Sequence, residues 1–163
     1  MTQATPSPAI YTRTEFARLF QVTRPTVDDL KSMALLEASG TGFYTALADA
    51  APNEAIRGLL VKNGREETAH AHRLKKAIML MANEDYPLPP AEQNPFHDPD
   101  PKVTVSRESL TGLAAGEGTG EDLYETWASN IGNDEVAALL RLNGKEETGH
   151  QQRLLQAIEL FDQ

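Results

Sequence analysis

The residues of this chain that could do chemistry are glutamates and histidines that recur at the same spacing in two parts of the sequence. Residues 63–70 read Asn-Gly-Arg-Glu-Glu-Thr-Ala-His, and residues 143–150 read Asn-Gly-Lys-Glu-Glu-Thr-Gly-His. Each half carries a further glutamate thirty residues before the second glutamate of this segment. The repeat therefore selects four carboxylates and two imidazoles: Glu37, Glu67, His70, Glu117, Glu147 and His150.

A set of this kind has the composition of a site for two bridged metal ions inside a helical bundle. Carboxylates buried close together are prohibitively costly unless they are protonated or neutralised by cations. Two divalent cations would supply the positive charge that cancels them. Mixed carboxylate and imidazole ligands favour iron, with manganese or zinc as substitutes. We therefore predict that these residues hold two iron ions per chain.

Four helices must position these residues, and capping residues mark where the helices begin and end. Asn53 follows a helix-breaking proline and can cap a new helix, and Gly132 suits the position just beyond a helix C-terminus. The predicted helices span about residues 26–51, 53–82, 106–132 and 133–161. The chain is therefore predicted to be all-α.

The predicted ligands fit a common level along these helices. In the first half, Glu37 lies 15 residues before Pro52, and Glu67 lies 14 residues after Asn53. At about 1.5 Å per residue, the chain rises roughly 22 Å to the turn and descends roughly 21 Å. The glutamates of the second half satisfy nearly the same relation. Within each Glu-x-x-His motif, the two side chains are three residues apart and share a helix face.

The two predicted hairpins are joined by residues 84–105, which contain six prolines and cannot be α-helical. A link of this length, fully extended, reaches up to about 66 Å. A helix of 25 residues is only roughly 38 Å long. The link can therefore return from one end of a bundle to the other. The alternative is a disordered linker between two helical hairpins that dimerise separately.

The predicted organisation is an N-terminal arm followed by one bundle. Residues 1–25 form the arm, in which residues 14–20 could make a short helix. The bundle covers residues 26–163, and its two repeats cover about residues 26–83 and 106–161.

Composition narrows the kinds of function. The net charge of −9 argues against nucleic-acid binding, and the absence of cysteine removes disulfides, thiol chemistry and cysteine-ligated metals. The first residues lack the pattern of a secretory signal, and no apolar stretch is long enough to span a membrane. We therefore expect a soluble, cytoplasmic protein that binds neither nucleic acid nor membranes.

The twofold Glu-x-x-His pattern resembles the ferritin-like diiron carboxylate superfamily, and within it most closely the rubrerythrin branch. Tyr44 and Tyr124, seven residues after the first glutamate of each half, also resemble rubrerythrins. The resemblance covers about residues 26–161. It implies a ferritin-like four-helix bundle with one long crossover between its second and third helices. The predicted ligands take the places of the diiron ligands, and each phenol could hydrogen-bond to one of the ligand carboxylates.

The same resemblance implies a non-haem diiron oxidoreductase that reacts with O₂ or hydrogen peroxide, usually as a homodimer. Iron handling or storage of the ferroxidase type is the alternative, and a dimanganese, catalase-like activity is a further one. Two departures stand out. The chain lacks the cysteines of a rubredoxin domain, so an external electron donor is expected. It also has Ala114 where rubrerythrins carry a further carboxylate.

The paired motifs imply a division of roles among the ligands. Each histidine is expected to bind one iron, Glu67 and Glu147 to bridge the two, and Glu37 and Glu117 to be terminal ligands.

The sequence also makes predictions for residues that neighbour the ligands. Glu66 and Glu146 are predicted to be solvated surface residues, and Glu121 is either solvated, in contact with a ligand, or a spare ligand. Arg73 and Arg153 could form ion pairs at the rim or tune the site. A further set of residues provides either close helix contacts or space beside the metals: Gly40, Gly42, Asn63, Gly64, Gly118, Gly120, Asn143 and Gly144.

Overall fold

The computed structural model describes the backbone of residues 8–162 and the side chains of residues 12–161. Within these residues it contains helices and no strand. The α-helices are α1 (Pro8–Leu19), α2 (Val27–Asp49), α3 (Glu54–Ala82), α4 (Arg107–Asn130) and α5 (Asp134–Glu159). Helices α2 and α3 pack along each other as one hairpin, α4 and α5 form a second, and the hairpins join mainly through α3 and α5. This is the predicted four-helix bundle.

The four bundle helices begin at the predicted capping residues. Thr26 accepts a hydrogen bond from the Asp29 amide at 3.2 Å, and Asp29 accepts one from the Thr26 amide at 2.9 Å. Ser106 forms the same reciprocal pair of hydrogen bonds with Ser109, and Asn53 and Asn133 each accept one hydrogen bond from the backbone amide three residues on. Each such cap stabilises a helix by about 1 kcal/mol. The local sequence therefore determines where the helices begin.

The predicted ligands lie between two apolar layers of the bundle. In the first layer, Leu30 and Met33 of α2 are buried with residues such as Trp127 of α4. In the second, Leu47 of α2 is buried with residues such as Leu110 of α4. The buried apolar residues stop for about two turns on α2 and α4 and for about three to four turns on α3 and α5 before they resume, so a polar layer lies within the core.

The crossover between α3 and α4 is anchored along α2. Its Asn94 side chain donates a hydrogen bond to the Leu35 carbonyl at 2.7 Å and accepts one from the Phe96 amide at 3.0 Å. Phe96 is buried in the first apolar layer, and a short 3-10 turn spans Ala91–Gln93. The link therefore connects two hairpins of one bundle, and the alternative of separate hairpins is wrong for this structure.

The N-terminal arm, predicted over residues 1–25, lies partly outside the described residues. Its helix begins at Pro8, earlier than the predicted Thr14, and ends at Leu19, which is fully buried. Arg18 makes an ion pair with Asp29 at 2.7 Å. These contacts hold α1 against the start of α2.

No helix among the described residues combines the length and apolar character needed to cross a membrane.

Candidate metal centre

The structure brings all the predicted ligands together in the polar layer. The two histidine side chains are fully buried, and three of the glutamates are 6 % exposed. Their ligand atoms form two groups, in each of which the atoms lie within 4.8 Å of one another. One group is Glu37, His70 and Glu147, and the other is Glu67, Glu117, Glu147 and His150. Glu147 belongs to both groups, which is the placement that a bridging carboxylate needs.

The histidines turn the same ring nitrogen toward the carboxylates. Nδ1 of His70 lies 3.3 Å from Glu37 Oε2 and 3.1 Å from Glu147 Oε1. Nδ1 of His150 lies 3.3 Å from Glu67 Oε1 and 3.4 Å from Glu147 Oε2. The two rings stack with their centroids 5.2 Å apart. Each group can therefore offer one imidazole nitrogen to one metal.

Two helix glycines make room for two of the ligand glutamates. A Cβ atom on Gly40 would lie 2.6 Å from Glu67 Oε2, and one on Gly120 would lie 2.8 Å from Glu147 Cγ. Real Cβ contacts are not that short, so a larger residue at either place would displace the carboxylate. A helix glycine costs about 1 kcal/mol relative to alanine. Glycine is needed at these two positions despite this cost, because the ligand side chains occupy the space of a Cβ atom.

Each tyrosine binds a carboxylate from the opposite half of the chain. The Tyr44 hydroxyl donates to Glu117, and the Tyr124 hydroxyl donates to Glu37. Burial, together with the nearby carboxylate charge, raises the pKa of both phenols, so they remain donors at neutral pH. The sequence predicted contact with a ligand carboxylate. It could not show that the contact crosses between the halves.

The outer faces of the histidines meet residues that were predicted to be solvated. Nε2 of His70 lies 3.0 Å from Glu146, which also accepts two hydrogen bonds from Arg73, at 2.7 and 2.9 Å. Burial alone would raise the pKa of Glu146, but the hydrogen bonds and positive charges of Arg73 and His70 together outweigh it, so the pKa is lowered. The prediction of a surface position is therefore wrong.

The equivalent arrangement in the other half involves Glu66. Its Oε2 lies 3.2 Å from Nε2 of His150 and accepts a hydrogen bond from Arg153. The surface prediction fails here as well, because the adjacent helix of the opposite hairpin supplies the partner. A carboxylate on the outer nitrogen of a ligand histidine fixes the ring and its tautomer.

Two buried asparagines complete these connections between α3 and α5. Asn143 donates to the His70 carbonyl at 3.3 Å and accepts from Arg73 at 3.0 Å. Asn63 donates to the His150 carbonyl at 3.4 Å in the equivalent place. An aliphatic residue there would leave both groups without these partners. The asparagines therefore brace the helices that carry the histidines.

Glu121 lies outside both ligand groups. Its carboxylate accepts a hydrogen bond from the Thr148 hydroxyl, and the equivalent place in the other half holds Thr41 and Thr68, whose hydroxyl oxygens are 2.8 Å apart. The structure therefore does not support Glu121 as a spare ligand. It is a hydrogen-bonded residue at the edge of the metal centre.

The electrostatics of the centre suit cations. Burial alone would lower the pKa of His70, but its contacts with Glu147 and Glu37 raise that pKa to about 11. Nearby carboxylates likewise outweigh burial at His150 and raise its pKa to about 12. Burial raises the pKa of Glu117 to about 7. Protons thus balance part of the carboxylate charge, and a metal ion would have to displace them.

An unsatisfied ligand atom supports the same conclusion. Both ring nitrogens of His150 are buried without a well-directed hydrogen bond, although carboxylates lie within 3.6 Å. A cation beside Nδ1 would satisfy this nitrogen and the carboxylates around it. The residues present therefore fit a carboxylate-bridged pair of metal ions.

The fold is a helical bundle, and the site is a cluster of carboxylates and histidines that could hold metal ions. The family model described as Rubrerythrin matches residues 30–158, and the chain belongs to the rubrerythrin family. Membership of this family implies iron binding. No curated protein and no solved structure gives a significant match.

Glu146→Ala is expected to weaken one of the two metal sites. Partners of this kind typically contribute 10–100-fold to metal affinity, and the loss should fall at the site that includes His70. Glu66→Ala should cause a smaller loss at the site that includes His150, because Glu66 lies 3.2 Å from Nε2 of His150 without a well-directed hydrogen bond. Competition for Fe²⁺ against a chromophoric chelator measures both affinities.

The matched control for these variants is Glu125→Ala. Glu125 also pairs with an arginine, Arg141 at 2.9 Å, but on the exposed surface and without a histidine contact. The Fe²⁺ affinities of the Glu125→Ala variant should equal those of the parent protein. Unchanged Fe²⁺ binding in both test variants would show that the outer carboxylates do not position the histidines.

Proposed function

We propose that this protein is a non-haem diiron oxidoreductase that reacts with O₂ or hydrogen peroxide. The observation that supports this proposal best is the position of Glu147, which belongs to two groups of buried ligand atoms around separate histidines. In the proposal, two iron ions per chain are held by the six predicted ligands. When bound in the ferrous state, the pair supplies two electrons to the oxidant.

The role of the protein is to hold its ligands and limit access of water. Glu147 is proposed to join the two sites, while Glu37 and Glu117 act as terminal ligands. Glu67, which belongs to the His150 group alone in the metal-free protein, is proposed as a second bridge. Tyr44 and Tyr124 fix the terminal carboxylates by hydrogen bonds from the opposite hairpin. The apolar layers above and below exclude water from these contacts. Fixed ligands and limited water access are the protein's usual contribution to metal catalysis.

Turnover also requires electrons from outside the site. Residues 1–163 contain no cysteine that could hold a rubredoxin-type iron. We therefore include an external electron donor in the proposal, and a homodimer as the working assembly.

Rapid mixing tests the proposal. Anaerobic protein loaded with Fe²⁺ is mixed with hydrogen peroxide or with O₂, and absorption of the ferric product is followed. One equivalent of peroxide per chain should oxidise the whole pair, because peroxide accepts two electrons and each Fe²⁺ gives one. The matched control is Glu135→Ala, which alters an exposed residue and should react as the parent does.

Three outcomes would contradict the proposal. Inert Fe²⁺ protein would exclude reaction at the site. Uptake of many iron ions per chain into a large closed assembly would instead indicate storage. Peroxide dismutation by the manganese-loaded protein alone would indicate a manganese enzyme.

A further inference from the structure

A cavity of about 820 Å³ lies between α2 and α4, directly over the candidate metal centre. The ligand glutamates of both hairpins, such as Glu37 and Glu117, form its floor. Residues of α1 and of the crossover, such as Phe16 and Val103, contribute to its outer part. The proposed reactive centre therefore opens into a cleft that reaches the surface, where Phe16, Phe20 and Phe43 are partly exposed.

The cavity is much larger than O₂ or hydrogen peroxide requires. A water molecule, which is close to these oxidants in size, occupies about 30 Å³ of liquid. Sites for small organic ligands typically measure about 300–1,000 Å³ and are lined mainly by apolar side chains with few polar groups. The volume here falls well within that range.

The walls are mainly apolar, and the charged groups lie at the floor and in the outer part. The hydroxyls of Ser39 and Thr119 on the wall helices donate to carbonyls of their own helices. Met33, Leu36, Phe43, Leu113 and Leu123 line the space between the two helices. The backbones of α2 and α4 approach each other closely at few points along their described length, so this space lies between their side chains. An apolar space of this size next to charged ligands suits an organic molecule better than water.

The charges near the opening do not favour an ionic ligand. Lys102 lines the cavity but pairs with Asp100 at 2.5 Å. Arg13 and Asp98 line the same region with opposite charges. The remaining fixed charges are the glutamates on the floor, which metal ions would neutralise.

We propose that this cavity binds a neutral, apolar organic molecule beside the metal pair. The proposal rests on the proposed function in one respect, namely that metal ions neutralise the floor. It adds a second small-molecule site to the centre, next to the place where the oxidant reacts.

Two helix glycines provide matched variants to test this site. Gly116 lines the cavity, and a Cβ atom there would meet nothing within 4 Å. Gly112, one turn earlier on α4, is equally open but is not part of the cavity lining. Gly116→Phe should fill the cavity, while Gly112→Phe should leave it unchanged. Both substitutions remove a helix glycine, so both proteins should fold at least as well as the parent.

The probe is N-phenyl-1-naphthylamine, a neutral, apolar fluorophore, titrated into anaerobic Fe²⁺-loaded protein. One probe should bind per chain in the parent and in Gly112→Phe, and Gly116→Phe should bind at least tenfold more weakly. Linear primary alcohols should displace the probe, with affinity rising about three- to fourfold per added methylene, as expected for burial of apolar surface.

The measurement distinguishes this inference from the proposed function. If the Fe²⁺ protein reacts with peroxide but does not bind the probe, the cavity proposal is wrong and the diiron proposal stands. If the protein binds the probe but not iron, the diiron proposal fails instead. Equal probe binding by both phenylalanine variants would place the probe elsewhere and overturn the cavity site.

Sedimentation of the same variants tests a different occupant of the gap. If Gly116→Phe changes the assembly state while Gly112→Phe does not, the gap is an interface between copies of the chain, and the cavity proposal is overturned. Identical sedimentation, together with lost probe binding, supports a small-molecule site.

Discussion

Glu147→Ala is expected to abolish most metal binding at both sites of the centre. Glu147 is the residue common to both groups of ligand atoms, so its removal takes a ligand from each. The loss at each site should exceed the 10–100-fold effect typical of groups that only support a ligand. Iron content per chain, measured after equilibration with excess Fe²⁺ and desalting, should fall from two to near zero.

Two further variants show whether the loss of both metals is specific to Glu147. Glu37→Ala removes a residue of the His70 group only, so one metal per chain should remain. Glu135→Ala, on the exposed surface of the same helix as Glu147, should keep both. Because Glu147→Ala removes a buried carboxylate, the metal-free variant should retain its helical circular dichroism. Retention of one or two iron ions by folded Glu147→Ala would show that this residue does not join the sites.

Removal of the metals is expected to lower the melting temperature by about 10–20 °C. A ligand present at 100 times its Kd stabilises the folded state by about 2.7 kcal/mol, so two sites contribute roughly 5 kcal/mol. For a chain of this size, 1 kcal/mol corresponds to about 2–4 °C. The buried glutamates that remain after removal of the metals repel one another, which acts in the same direction. Calorimetry of the Fe²⁺-loaded and chelator-treated protein measures the difference.

The same comparison in two variants shows where the stabilising metals bind. Glu135→Ala should keep the whole difference between loaded and metal-free protein, and Glu147→Ala should lose nearly all of it. If Glu147→Ala responds to Fe²⁺ as the parent does, the metal that stabilises the fold lies outside the candidate centre.

The elements that position the site were predictable because their signals are local. A cap at Thr26 or Asn53 depends on one side chain and the next three residues. The level of each ligand depends on the constant rise of a helix and on where a proline ends it. The two copies of the repeat are offset by 80 positions, and their correspondence then restricted which glutamates and histidines could meet. The six candidate ligands follow from these facts alone.

The contacts between the halves were not predictable, because they depend on how each helix is rotated against its neighbours. Tyr44 reaches Glu117 rather than a carboxylate of its own half. Glu146 lies about 100° from its neighbour around α5, as any consecutive residue does. That direction meets solvent on an isolated helix but meets His70 once α3 packs beside α5. The packing of the two hairpins therefore determines which side chains contact each other, and the spacing of residues in the sequence does not.

The cavity was also beyond the reach of the sequence. Close helix contact and space beside the metals were both compatible with the helix glycines. The structure places Gly40 and Gly120 in close contact with ligand glutamates, whereas a Cβ atom on Gly42 would meet nothing within 4 Å. The two contacts form where α2 packs on α3 and where α4 packs on α5, and how closely each pair packs is not visible in the spacing of the glycines.

The most direct test of the central claim is anomalous diffraction at the iron edge from crystals of the Fe²⁺-loaded protein. Two iron peaks per chain are expected, about 3–4 Å apart as in other two-metal sites. Nδ1 of His70 should lie beside one peak, Nδ1 of His150 beside the other, and Glu147 between them. A single peak, or peaks away from these residues, would contradict the assignment of a diiron centre to this chain.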